Sequence, residues 1–347
     1  MTPVTAACGR ALERLYPGYF ALVMATGIVS TAAQLFNLQV FSTLLLVVAT
    51  AGYAVLVALH IGRMLMYGAA MRDDAKAPGR AFGFFTFVAA SDVLSVRYAS
   101  AGVMGVAAAL ALVGVASWLL LTYTIPVGLM LGSENRRLGP SVNASWLIWV
   151  VATQSVSTAA SMLASTGPDR ALLSFVAAVF WGIGSMLYLV LITIVTARML
   201  LAAMPVTEMA PPYWINMGAT AITVLAGVRL LGAPLPGQLQ SILPFVTGIS
   251  FMFWAFGSFW IPTVVLFGFW RYGRGGHPVV YEPALWSMVF PLGMYTTATD
   301  LLGKVARLTW LLPLAWGASW GAYAAWVIVF AAMARSLTVR RSDIPNG

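Results

Sequence analysis

The sequence predicts an all-α polytopic membrane protein of ten transmembrane helices arranged as five hairpins. Three observations predict it. The chain is 61% hydrophobic and only 8% charged, with a mean hydropathy of +0.88. It divides into ten apolar segments, each near the roughly 20 residues needed to cross a bilayer. Two internal echoes fall only on odd-numbered segments, which suggests repeated structural units.

Composition also excludes much. A soluble chain carries about a quarter charged residues. The net charge of +9 does not point to nucleic acid, because the basic residues lie between apolar spans. The lone Cys8 precludes an internal disulfide, and His60 and His277 are too few and too far apart for a metal cluster. No GxxxxGK[ST] motif is present, so ATP is not bound through a P-loop. No cofactor is expected. Two histidines and two matched aspartates do not make a catalytic constellation, so an enzyme is not expected. Any transport is passive or driven by an ion gradient.

The elements follow in order. Residues 1–16 lack the charged-then-apolar layout of a cleavable signal and form a short N-terminal segment. The predicted spans are 17–36, 40–63, 82–100, 102–124, 143–165, 169–197, 212–232, 240–270, 283–303 and 308–334, with a short C-terminus at 337–347. Spans three and four are separated only by Ser100-Ala101-Gly102. Fourteen Lys and Arg lie with the termini and the loops after spans two, four, six and eight; Arg136, Arg137, Arg340 and Arg341 are among them. Five, namely Arg97, Arg170, Arg229, Lys304 and Arg307, lie on the opposite side. The positive-inside rule then places both termini in the cytoplasm of a plasma (inner) membrane protein. Very short outer connections such as Asn37-Leu38-Gln39 make antiparallel hairpins of spans 1–2, 3–4, 5–6, 7–8 and 9–10.

Pro17 to Ile28 (PGYFALVMATGI) is echoed by Pro211 to Ile222 (PPYWINMGATAI), with five of twelve positions identical. Phe82 to Leu94 (FGFFTFVAASDVL) is echoed more weakly by Phe290 to Leu302 (FPLGMYTTATDLL). The first pair joins spans one and seven, the second spans three and nine. Each keeps one orientation in the membrane, which argues against inverted five-helix halves. The simplest reading is five odd helices, equivalent to one another, inside a quasi-five-fold ring around a central pore, with the even helices outside. Small residues such as Ala25, Gly27, Gly218, Ala219 and Ala298 permit close approach there. Bulk such as Phe251 to Trp260 suits lipid and intersubunit contact.

Pro17-Gly-Tyr-Phe20 running into Met24-Ala-Thr-Gly-Ile-Val-Ser30 resembles the first helix of the tellurite-resistance/dicarboxylate transporter family. Tyr281-Glu-Pro-Ala-Leu-Trp286, followed by Val289-Phe-Pro-Leu-Gly293, resembles its ninth. That family includes plant slow anion channels, fungal malate permeases and sulfite efflux pumps. The resemblance implies a pore in each subunit of a homotrimer in the lipid bilayer. It also implies small inorganic or organic anions as permeants, and a phenylalanine gate at the position of Phe290. A channel-like anion permease and a proton-coupled carrier of dicarboxylates or sulfite both remain open.

The candidate site residues fall into four groups. Phe290 precedes Pro291, which cannot donate to the Ser287 carbonyl and is expected to kink the helix and aim the ring at the axis. Arg97, Arg229, Lys304 and Arg307 sit near the outer ends of odd spans and are candidates for an anion vestibule. Asp92 and Asp300 are matched carboxylates within spans, expected either to pair with a base or to carry a proton; Lys304 is in helical register with Asp300. Thr26, Ser91, Thr153, Thr220 and Thr299 could line the pore, unless their hydroxyls bond back to the helix. The mixed run Arg72-Asp73-Asp74, Lys76 and Arg80 reads as a solvated connector.

Overall fold

A computed structural model describes residues 9–132, 142–166, 169–202, 204, 209, 211–276, 278 and 280–342. Cys8, Arg136, Arg137 and His277 lie outside the described residues, as do the side chains of Arg340 and Arg341. Among the described residues there are ten long helices: α1 (Ala21–Leu35), α2 (Gln39–Met66), α3 (Phe85–Ser100), α4 (Met104–Leu131), α5 (Ile148–Thr166), α6 (Arg170–Leu201), α7 (Ile215–Leu231), α8 (Leu243–Phe269), α9 (Trp286–Val305) and α10 (Leu311–Ser342). Nine stretches of the described chain are long and apolar enough to cross a membrane; α9, with 20 residues, falls outside that set. It carries Asp300, Lys304 and a run of threonines, so its hydropathy is lower.

Each odd helix packs on the even helix that follows it, which gives five hairpins. The odd helices also touch one another in the order α1, α3, α5, α7, α9 and back to α1, so they close a ring. Burial follows that arrangement. In α1, α3, α5 and α7, 78–89% of a membrane-length window is buried, against 17–28% in α2, α4, α8 and α10. The outer face is large and apolar, as lipid demands of a helical protein. Leu44, Leu120, Met186 and Phe259 are exposed on it.

The repeat seen in the sequence corresponds to a structural device. Every inner helix starts with a 3₁₀ turn: Pro17–Phe20, Phe82–Phe84, Ala144–Leu147, Pro211–Trp214 and Pro283–Leu285. Proline suits such a first turn because its missing N–H would have no helical partner there. At the opposite ends the chain reverses tightly. Asn37 (φ 63°), Gly102 (φ 80°) and Arg307 (φ 57°) adopt the left-handed conformation that ends three of the inner helices. Gly102 explains how so short a connection divides the third and fourth spans. The even helices α2, α4, α6 and α10 run several residues past their predicted ends.

Candidate functional site

Two small cavities lie inside the ring, and all five inner helices line each of them. The first sits where those helices begin, the N-terminal mouth; Gly18, Thr86, Ser145, Pro212 and Ser287 line it, one from each helix or its lead-in turn. The second lies toward their C-terminal ends, lined by Thr31, Asp92, Ser155, Arg229 and Met294 among others. Each has a volume of about 20 Å³, room for about one water molecule. The ring therefore encloses an axis that is closed in this conformation to any hydrated ion.

The closure lies between the cavities. On α9, Ser287 lines one and Met294 the other. Two turns of helix bring these back to nearly the same bearing, and Phe290 and Pro291 fall within about 60° and 40° of it. Phe290 is completely buried. The helix continues through Pro291, whose ring seats on Gly218 of α7; a Cβ built at Gly218 would lie 2.8 Å from Pro291 Cγ. Glycine at 218 is thus what lets α7 and α9 approach beside the closed layer.

The four predicted bases separate. Only Arg229 lines the axial cavity, with a guanidinium N–H directed at Met162 Sδ (3.5 Å). Arg97 turns into the seam between α1 and α2, where it donates to Ser30 Oγ (3.0 Å) and Ser42 Oγ (2.9 Å). Lys304 pairs with Asp300 at 2.6 Å, the helical pair anticipated from their spacing. Arg307 is exposed at a turn. Asp92 behaves differently from Asp300. It has no ion pair among the described residues, is 1% exposed, and accepts from Ser155 Oγ at 2.7 Å through Oδ2. Its Oδ1 has no hydrogen-bond partner. Asp92 also lines a larger, mostly apolar side cavity of about 520 Å³ between α3, α4, α5 and α6.

The predicted pore hydroxyls require correction. Thr26 accepts from Trp326 Nε1 (3.0 Å) of α10 and Thr153 from Trp118 Nε1 (2.8 Å) of α4. Thr299 accepts from Trp254 Nε1 (3.0 Å) of α8. Ser91 bonds to Tyr53 Oη (2.7 Å) of α2. Thr220 donates to the Met217 carbonyl (2.7 Å), and a Cβ on Gly257 of α8 would lie 2.2 Å from its Oγ1. All five face the outer helices. The physical reason is that an indole N–H or phenol inside a membrane needs an acceptor, and an outer helix finds one on the back of the inner helix.

Three buried arginines were read only as topology signals. Arg63 ends α2, donating to the Glu13 carbonyl (3.0 Å) and pairing with Asp74 (2.7 Å). Arg198 near the end of α6 donates to the Val142 carbonyl. Arg271, just past α8, pairs with Glu282 (2.9 Å). Each clamps the chain leading into an inner helix. Their spacing from those lead-in segments could have suggested this, had the segments been recognised as buried.

A ring of buried helices around a closed axis, wrapped in an apolar shell, defines a multi-pass membrane protein. Residues 14–334 match the voltage-dependent anion channel (SLAC1) family, and the chain belongs to that family. It is 25% identical over 341 residues to a transporter of Methanocaldococcus jannaschii, covering 91% of this chain and 92% of that one. It is 24% identical over 359 residues to a sulfite efflux pump of Arthroderma otae, covering 96% and 92% respectively. A membrane protein of Mycobacterium tuberculosis shares 41% identity over 161 residues, 45% of this chain and 80% of its own. The protein is an anion-transport protein of this family.

Proposed function

We propose that small anions cross the membrane along the axis of the inner ring and that Phe290 is the gate. The observation that carries this reading is the pair of cavities, each lined from all five inner helices, with the Phe290 layer between them. Five helix N-termini converge on one mouth, and each carries a partial positive charge of about half a unit. That field favours anions over cations without any buried base. Arg229 supplies a full charge at the second cavity. Positive-inside topology makes the N-terminal mouth cytoplasmic, and the family resemblance supports a homotrimer with one axis per subunit.

The test is anion flux into liposomes carrying purified wild type or Phe290→Ala. The expected result is a large rise in chloride or nitrate flux for the variant. A folded Phe290→Ala protein that conducts no better than wild type would overturn the gate.

Asp92 favours a second reading: coupled carriage of a proton with an anion such as sulfite or a dicarboxylate. It places a carboxyl group with one unpartnered oxygen on the wall of the axial cavity. Under this reading a pH gradient alone drives anion accumulation, and Asp92→Asn abolishes the drive while leaving downhill flux.

A further inference from the structure

The mixed run after α2 is not simply solvated. Arg72, Asp73 and Lys76 are exposed and Arg80 is partly so, but Asp74 is largely covered. Within and beside the short helix Gly68–Lys76, Asp74 holds two arginines at once: Arg63 at 2.7 Å and Arg80 at 2.6 Å. Arg63 is 1% exposed and is itself anchored on the Glu13 carbonyl. Arg80 in turn lies over the ring of Tyr16, 5.3 Å from its centroid. Tyr16 lines the N-terminal axial cavity. Its ring covers Gly18, where a Cβ would come within 2.4 Å of it, and its hydroxyl reaches toward Gly83 of the neighbouring lead-in turn. Burial pushes the Tyr16 phenol above its ordinary value, with Arg80 opposing, so the ring meets the cavity uncharged.

We propose that Tyr16 is a second gate at the N-terminal mouth, in series with Phe290, and that the chain Arg63–Asp74–Arg80 latches it shut. This rests on the axial reading of the transport path and adds the element that opens that path. The connector after α2 is the only segment tied to both α2 and Tyr16 by these contacts among the described residues. Pulling it away would free the ring to swing off the mouth. Phe290 alone would then separate the cytoplasm from the second cavity. A cation–π contact with a partly buried guanidinium holds the ring modestly, so the latch is set to open on a small displacement.

The test reads access to the mouth directly. On a Cys8→Ser background, Ser287→Cys places a thiol in the N-terminal cavity, and its labelling by an anionic methanethiosulfonate is timed in detergent. Arg80→Gln, Asp74→Asn and Tyr16→Ala are each expected to speed labelling roughly threefold to tenfold. Lys76→Gln, exposed on the same helix, is expected to leave the rate unchanged. Unchanged labelling in Tyr16→Ala and Asp74→Asn, with melting temperatures kept, would overturn the latch. A second arm measures flux. Tyr16→Ala added to Phe290→Ala is expected to raise flux further, and no added flux would count against gates in series. If labelling accelerates but Phe290→Ala does not conduct, the axial path fails while the latch stands; the reverse result removes the latch alone.

Discussion

Gly114→Ala is a small change with a large expected consequence. Gly114 on α4 faces Asp92 on α3 so closely that a Cβ there would lie 2.2 Å from Oδ1, 2.9 Å from Cγ and 3.1 Å from Oδ2. No rotamer of alanine avoids this, since Cβ is fixed by the backbone. Either α4 slides outward or the carboxyl group moves into the side cavity that it also lines. Sliding is overpacking, which costs about 1–3 kcal/mol. Swinging breaks the 2.7 Å bond from Ser155, and leaving a buried polar group unsatisfied costs about 1–3 kcal/mol. Gly114→Ala should therefore destabilise by about 1–3 kcal/mol, whichever route relaxes it. The assay is a double-mutant cycle by reversible unfolding in detergent, with Asp92→Ala, Gly114→Ala and the pair. Asp92→Ala removes the atoms that clash, so the pair should be no less stable than Asp92→Ala alone, a coupling of at least about 1 kcal/mol. Additive losses would refute the claim that Gly114 is small because Asp92 needs its space.

Arg229 and Arg97 are expected to part company experimentally. Arg229→Gln should lower anion-over-cation permeability measured from reversal potentials in bilayers, whereas Arg97→Gln should lower the melting temperature and leave selectivity alone, because Arg97 is spent on Ser30 and Ser42. The indole donors form another set. Trp118→Phe or Trp326→Phe should each cost about 1 kcal/mol of stability, the net worth of a hydrogen bond, with the permeability sequence for anions unchanged. A shift in that sequence would mean that Thr153 or Thr26 reaches the permeation path after all.

Much of the architecture was legible because a membrane simplifies the alphabet. Low charge and segment length marked the spans, and the odd-numbered echoes marked the inner helices. The Pro-Tyr-aromatic start of the first and seventh spans proved to be the 3₁₀ lead-in turn that all five inner helices share. Rotation about each helix axis was not legible. Thr26 and Thr153 sit at the right depth, but depth does not say whether a hydroxyl faces the axis or the outer shell. Trp254 reads, within Phe251 to Trp260, as bulk for lipid and intersubunit contact, and the indole N–H groups of Trp118, Trp254 and Trp326 were the missed signal. Arg63 and Asp74 were equally opaque, because a charge counted for topology looks the same whether it is hydrated or buried in a clamp.

The bases at the C-terminal ends of the inner helices take their meaning from the direction of those helices. Five inner helices end together there, and each end carries about half a negative charge from its last carbonyls. Uncorrected, that rim would repel anions at the far end of a path whose near end attracts them. Arg97, Arg229 and Lys304 fall in the last turns of α3, α7 and α9. With Lys304 neutralised by Asp300, Arg97 and Arg229 bring about two positive charges, comparable in size to the summed helix-end charge of about two and a half. They need not gather in a funnel or touch a permeant to matter. On the proposed axial path, they level the electrostatic profile, so that an anion attracted by the helix starts would meet no matching barrier at the helix ends.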